Sequence, residues 1–169
     1  GLAFLSFSLG ASGTYLLNDI LDLDADRQHP VKKHRPLASG DMTVAQGRRL
    51  SFVLILASVA IAAFLPIRFL GFLAIYFVFT LAYSWRLKRA ALIDVIVLAG
   101  LYTLRILAGG AATGTPISFW LLAFSMLLFL SLALVKRYAE VMRLVAKGGG
   151  QVPRRGYHPM DLEILSQFG

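Results

Sequence analysis

Residues 69–84 read FLGFLAIYFVFTLAYS, sixteen in a row without a charged side chain. The alternation of a half-buried strand is absent. As a helix, such a run covers about 24 Å, most of the roughly 30 Å hydrocarbon core of a bilayer. Four similar stretches accompany it: Leu2–Leu17, Leu50–Leu65, Leu92–Ala108 and Phe119–Val135. Flanking residues and long basic side chains that reach for the interface supply the missing length. Strands of a membrane barrel would be nearer ten residues and would alternate. The expectation is therefore an all-α, polytopic transmembrane bundle with five spanning helices. Gly100, Gly109 and Gly110 are expected to let helices approach closely.

Composition points the same way. Hydrophobic residues make up 57% of the chain, charged residues 15%, and the mean hydropathy is +0.70. Soluble domains are nearer 45–50% apolar. Cysteine is absent, which excludes disulfides and thiolate metal sites. The net charge of +8 fits basic loops beside a membrane, and nucleic acid is not an expected partner. Fifteen of the seventeen Lys and Arg residues fall in three segments, 18–49, 85–91 and 136–160. Arg68 lies on the opposite side and Arg105 inside the fourth run. The positive-inside rule makes the basic side cytoplasmic and suggests a bacterial inner or plasma membrane. Lys136 and Arg137 read as boundary charges. KGGGQVPRRGY (147–157) lacks the spacing of a nucleotide-binding loop and reads as a linker, with a new helix-like segment from Asp161 to Phe168. The chain opens with Gly1 inside an apolar run, and no basic segment that would mark a secretory leader precedes Leu2. The expectation is a single incomplete transmembrane domain over residues 1–169, part of a longer protein.

Four of the nine acidic residues crowd into NDILDLDAD (18–26). On a continuous helix Asp19, Asp22 and Asp26 fall within a sector of about 60°, and Asp24 lies about 140° away. Carboxylates so close repel one another unless a positive centre joins them. Hard oxygen donors suit Mg²⁺, which prefers to share phosphate oxygens of a substrate. A merely solvated helix end is the plain alternative. It sits badly here, because acids at the C-terminal end of a helix oppose the macrodipole. Asn18 beside them is a candidate ligand or supporting group. Lys32, Lys33 and Arg35 follow in KKHRPLASG (32–40), and together with a metal they would bind a polyanion. His29 and His34 have no ligand spacing and read as loop residues. Arg86 and Lys88 are further candidates for phosphate contacts.

Inside the fourth run, Asp94 and Arg105 stand about 20° apart in azimuth and roughly 16 Å apart along the axis. They share a face but cannot touch. Charges in membrane helices are costly and line a cavity or meet a partner.

The pair NDxxDxxxD (18–26) and RPLASG (35–40) resembles the first signature of the UbiA superfamily of intramembrane prenyltransferases. The likeness runs along nearly the whole chain, including Tyr83-Ser84 and Leu87-Lys88. It implies a fold of about nine helices, so that C-terminal helices would lie beyond this chain. It also implies Mg²⁺ on Asn18, Asp19, Asp22 and Asp26, gripping the diphosphate of a donor. Most members carry a second aspartate motif in a later cytoplasmic loop, whereas Trp85–Ala91 holds no acid and only Asp94 follows. The run YSWRLK (83–88), Asp94 and LRILAGG (104–110) resemble one branch, the polyprenyl-phosphate (decaprenyl-phosphate) phosphoribosyltransferases. There the donor is phosphoribosyl pyrophosphate and polyprenyl phosphate is the acceptor. Similar sequences occur fused behind a haloacid-dehalogenase-like phosphatase domain.

On that resemblance Asp19, Asp22, Asp26 and Lys88 are the catalytic candidates, the three aspartates being the metal ligands. Asn18, Lys32, Lys33, Arg35, Tyr83, Arg86, Asp94 and Arg105 are candidates for binding substrate. A second reading keeps the site and transfers a prenyl group from a prenyl diphosphate to an aromatic or other small acceptor. A third is a non-catalytic isoprenoid or phosphate binder, or a transporter, for which the internal repeats common in transporters are not evident.

Overall fold

The computed structural model describes residues 1–89 and 92–145. The expected linker at 147–157 and the helix-like segment after it lie outside the described residues. Helices α1 (Leu2–Leu21), α2 (Leu23–Gln28), α3 (Pro36–Ser39), α4 (Val44–Ala62), α5 (Ile67–Trp85), α6 (Ile93–Thr113) and α7 (Phe119–Val145) account for nearly all of them, with short 3₁₀ turns at Lys32–His34 and Leu87–Arg89. Among the described residues there is no strand. In lipid this follows from the backbone, since a helix satisfies its own N–H and C=O groups where water cannot.

Local signals set the boundaries. Thr43 caps α4, its Oγ1 accepting from the Gln46 N–H at 3.2 Å while the Gln46 side chain accepts from the Thr43 N–H at 2.9 Å. Pro36 opens α3, and Gly40 closes it at φ +93°, a conformation that costs glycine nothing. Pro66 precedes α5, and Gly114 ends α6.

The helices run up and down. Ser6 meets Ser58 and Gly13 meets Ser51, so α1 and α4 are antiparallel. Tyr102 stacks on Phe129 and Asp94 pairs with Arg137, so α6 and α7 are antiparallel as well. Neighbours in space follow the order α4, α1, α5, α6, α7, and α1 meets α6 only sparsely. The loop between α1 and α4, the 3₁₀ turn after α5 and the C-terminal end of α7 therefore share one end of the bundle.

Four helices, α4, α5, α6 and the Phe119–Met142 part of α7, are long and apolar enough to cross a membrane. Their outward faces carry large apolar side chains such as Phe52, Val78 and Phe124. Trp85 at one end and Trp120 at the other are 76% and 79% exposed, where amphipathic rings favour the membrane interface.

The first of the five expected spans differs. Helix α1 has the length, but Ser6, Ser8, Ser12, Thr14 and Asn18 dilute its apolarity. These groups serve packing. Ser6 Oγ donates to the Ser58 carbonyl at 2.8 Å, Ser58 Oγ returns to the Ser6 carbonyl at 2.7 Å, and Ser51 Oγ donates to the Gly13 carbonyl at 2.7 Å. Such bonds between membrane helices contribute about 0.6 kcal/mol each. Glycine permits the approach: a Cβ on Gly13 would lie 3.0 Å from the Ser51 carbonyl oxygen, and one on Gly10 2.7 Å from Ser58 Oγ.

The glycines expected to serve this role do not join helices. Gly100 and Gly109 have open space where a Cβ would stand, and Gly110 is crowded by Ile117 and Thr115 of the loop that follows its own helix. Their clustering in sequence marked a thin face of α6, part of which borders a cavity.

Candidate active site

The continuous helix expected through 18–26 breaks at Asp22, which ends α1 and begins α2 with φ −99° and ψ 6°. Helical hydrogen bonding persists across the break, from the Asp22 N–H to Asn18 and from the Asp26 N–H to Asp22. The acids consequently stay near one another, while Asp24 turns to solvent.

Three cations, two from the loop just downstream and one from beyond α5, knit them together. Arg35, just ahead of α3, places Nη1 2.7 Å from Asp19 Oδ1 and 2.8 Å from Asp26 Oδ2. Lys32 Nζ lies 3.8 Å from Asp26 Oδ1. Lys88, on the 3₁₀ turn after α5, reaches both oxygens of Asp22 at 2.6 and 2.7 Å and Asn18 Oδ1 at 3.3 Å. Asp26 and Lys88 are buried. Asp19 is half-buried, and removal from water raises its carboxyl pKa above the ordinary value, with Arg35 opposing the rise. His29 in the adjoining loop has a lowered pKa, chiefly from burial and then from Lys32. Its Nδ1 accepts the Val31 and Lys32 N–H groups at 3.2 Å each.

Asn18, Asp19, Asp22, Asp26, Lys32, Arg35 and Lys88 thus form one cluster at the basic end of the bundle. Lys33 and Arg86 are exposed and make no ion pair among the described residues. Among the described residues, no three acids converge tightly enough to hold one ion by themselves.

Tyr83 stands beside the cluster. It lines a cavity of about 90 Å³ together with Asn18, Tyr15, Tyr76, Tyr102 and Arg105. Tyr15 and Arg105 also border a second cavity of about 480 Å³, walled by Phe4, Phe7 and Phe69. Both hollows lie where α1 and α6 stand apart.

Arg105 is caged. Its guanidinium carbon is 5.9, 5.5 and 5.2 Å from the ring centres of Phe7, Tyr76 and Tyr102, and Nη2 donates to the Tyr76 hydroxyl at 3.2 Å. Each such ring contact contributes about 0.5–2 kcal/mol, depending on desolvation.

Asp94 stands elsewhere. It is fully buried in the first turn of α6, and its Oδ2 lies 2.6 Å from Arg137 Nη2 of α7. Arg137 also pairs with Glu140. The boundary role expected for Arg137 is therefore corrected: it is a buried partner between two helices. Arg137 and Glu140 sit three apart just after the apolar run, spaced to face one way on a helix, and that spacing was the available signal. The cage residues Phe7, Tyr76 and Tyr102 gave none, since aromatic residues in apolar runs are ordinary.

An acid–base cluster closing one end of a membrane helix bundle, with an apolar hollow below it, defines the class of protein. The chain belongs to the UbiA prenyltransferase family, which it matches over residues 1–147. It is an integral membrane protein. It is 42% identical over 166 residues to the uncharacterized protein y4nM of Sinorhizobium fredii, covering 98% of this chain and 32% of that protein. The nodulation protein NoeC of Azorhizobium caulinodans is 38% identical over 165 residues, covering 98% and 54%. The decaprenyl-phosphate phosphoribosyltransferase of Mycobacterium tuberculosis is 38% identical over 140 residues, covering 83% and 46%. The chain spans about a third to about half the length of these relatives.

Proposed function

We propose that the intact protein is a Mg²⁺-dependent transferase that moves phosphoribose from phosphoribosyl pyrophosphate to a polyprenyl phosphate at the cytoplasmic face of the membrane. The observation that carries this reading is the cluster itself. Three carboxylates and three cations meet beside a hollow that continues into an apolar cavity. The first suits a charged, soluble donor and the second a lipid acceptor. The similarity to a decaprenyl-phosphate phosphoribosyltransferase supports the same assignment.

The donor set fits a hard divalent cation. Arg35 Nη1 lies within 2.8 Å of carboxylates from both Asp19 and Asp26, so the two already converge on one positive centre, and every donor is oxygen. Asp19, Asp22 and Asp26, helped by Asn18, would hold Mg²⁺ together with donor phosphates. The bound ion would supply charge neutralisation for the departing pyrophosphate. Arg35, Lys32 and Lys88 exchange carboxylates for phosphate oxygens. A lipid phosphate oxygen then attacks the anomeric carbon, a new C–O bond forms, and the bond to pyrophosphate breaks with its electron pair going to the leaving group. No proton need move if the attacking phosphate is ionised.

The test uses the intact protein in detergent with Mg²⁺. Pyrophosphate release from phosphoribosyl pyrophosphate should require polyprenyl phosphate and should disappear with EDTA or in Asp22→Ala. Turnover of a prenyl diphosphate with an aromatic acceptor, and none of phosphoribosyl pyrophosphate, would overturn it.

A further inference from the structure

Arg105 stands twelve residues into α6, about 18 Å from the start of that helix. A formal charge at that depth calls for an opposite charge. Among the described residues Arg105 has no carboxylate partner, and its buried Nε has no hydrogen-bond partner. The three rings around it soften the charge through their quadrupoles but carry no formal negative charge. Among the described residues the guanidinium is therefore positioned and oriented, yet not neutralised.

Its surroundings narrow what would neutralise it. Arg105 borders both cavities, as does Tyr15. On one side the smaller hollow leads to Asn18, a single helical turn beyond Tyr15, and so to the acid cluster. On the other the larger hollow is walled by Phe4, Phe7 and Phe69 and, among the described residues, holds no second charged side chain. A ligand filling both would be an anion with a long apolar tail.

We infer that Arg105, in its cage of Phe7, Tyr76 and Tyr102, is the subsite for the phosphate monoester of the lipid acceptor, with the first isoprene units in the adjoining apolar cavity. This rests on the function proposed above. A planar guanidinium presents paired N–H donors to phosphate oxygens. The cage fixes its orientation, so that the attacking oxygen is aimed toward the donor site beside Asn18. A phosphate monoester also occurs on the sugar of the donor. The apolar cavity assigns the subsite to the lipid, and the experiment separates the two.

Equilibrium binding to the intact protein would be measured with three probes: a polyprenyl phosphate, the matching polyprenol, and phosphoribosyl pyrophosphate with Mg²⁺. Arg105→Gln should weaken polyprenyl phosphate at least tenfold and leave the other two unchanged. Arg105→Lys, which keeps the charge and the fold but loses the fork, should give a smaller loss confined to the same probe. Unchanged affinity for polyprenyl phosphate, or an equal loss for polyprenol, would overturn the subsite. A loss confined to phosphoribosyl pyrophosphate would overturn it in favour of the sugar phosphate. Wild-type protein that binds the donor but no polyprenyl phosphate would overturn both the subsite and the acceptor half of the proposed reaction.

Discussion

Replacing Arg137 by glutamine should destabilise the bundle far more than an ordinary surface change. Arg137 is 1% exposed and Asp94 0%, and their charged atoms lie 2.6 Å apart. Removing one partner of a buried pair leaves the other charge uncompensated, at a cost of about 3–5 kcal/mol. Asp94→Asn should cost a similar amount for the same reason. The double variant carries neither charge and can keep a neutral amide pair in the same space. Its loss should fall short of the sum of the two single losses by a coupling energy of about 2–3 kcal/mol, the upper part of the range for contacting residues. The assay is equilibrium unfolding of the intact protein in mixed detergent micelles, with all four members of the cycle compared at one protein concentration. Single variants within about 0.5 kcal/mol of wild type, or a double variant as unstable as the sum of the singles, would refute the claim that this pair acts as a unit.

Two further outcomes follow from the geometry. Gly13→Ala should lower stability by about 1–3 kcal/mol through overpacking against the Ser51 carbonyl, while Gly100→Ala, which meets open space, should stay within about 0.5 kcal/mol; equal effects in the same unfolding assay would count against the α1–α4 contact. His29 should titrate below the usual histidine value of about 6.5, and because its folded pKa is lowered, its share of stability is present above that value and is lost as acid charges the ring; an NMR midpoint at or above 6.5 would contradict the acceptor state of Nδ1.

Long apolar runs are legible because a bilayer admits few solutions, and α4 to α7 emerge where such runs stand in the sequence. Helix α1, expected as a span like the others, falls short of them in apolarity, because its serines, threonine and glycines serve packing on α4. Asp19, Asp22 and Asp26 could be picked out by spacing, and Asn18 by standing beside them. Their partnership with Lys88 could not, since it spans 66 residues and depends on how α5 lies beside α1. Asp94 shows the same limit from the other side. Its charge marked it for a partner, but only the antiparallel docking of α7 shows that the partner is Arg137.

The acid cluster has an electrical consequence. Asp19, Asp22 and Asp26 are matched by Lys32, Arg35 and Lys88, so their formal charges sum to zero. A patch balanced in this way exerts little pull on a distant anion. Long-range attraction toward this end of the bundle falls instead to the exposed Arg27, Lys33 and Arg86, which stand around the balanced centre. Capture and grip are then separate jobs held by different side chains, and added salt should slow the first while leaving the second, made by exchange of close partners, comparatively untouched.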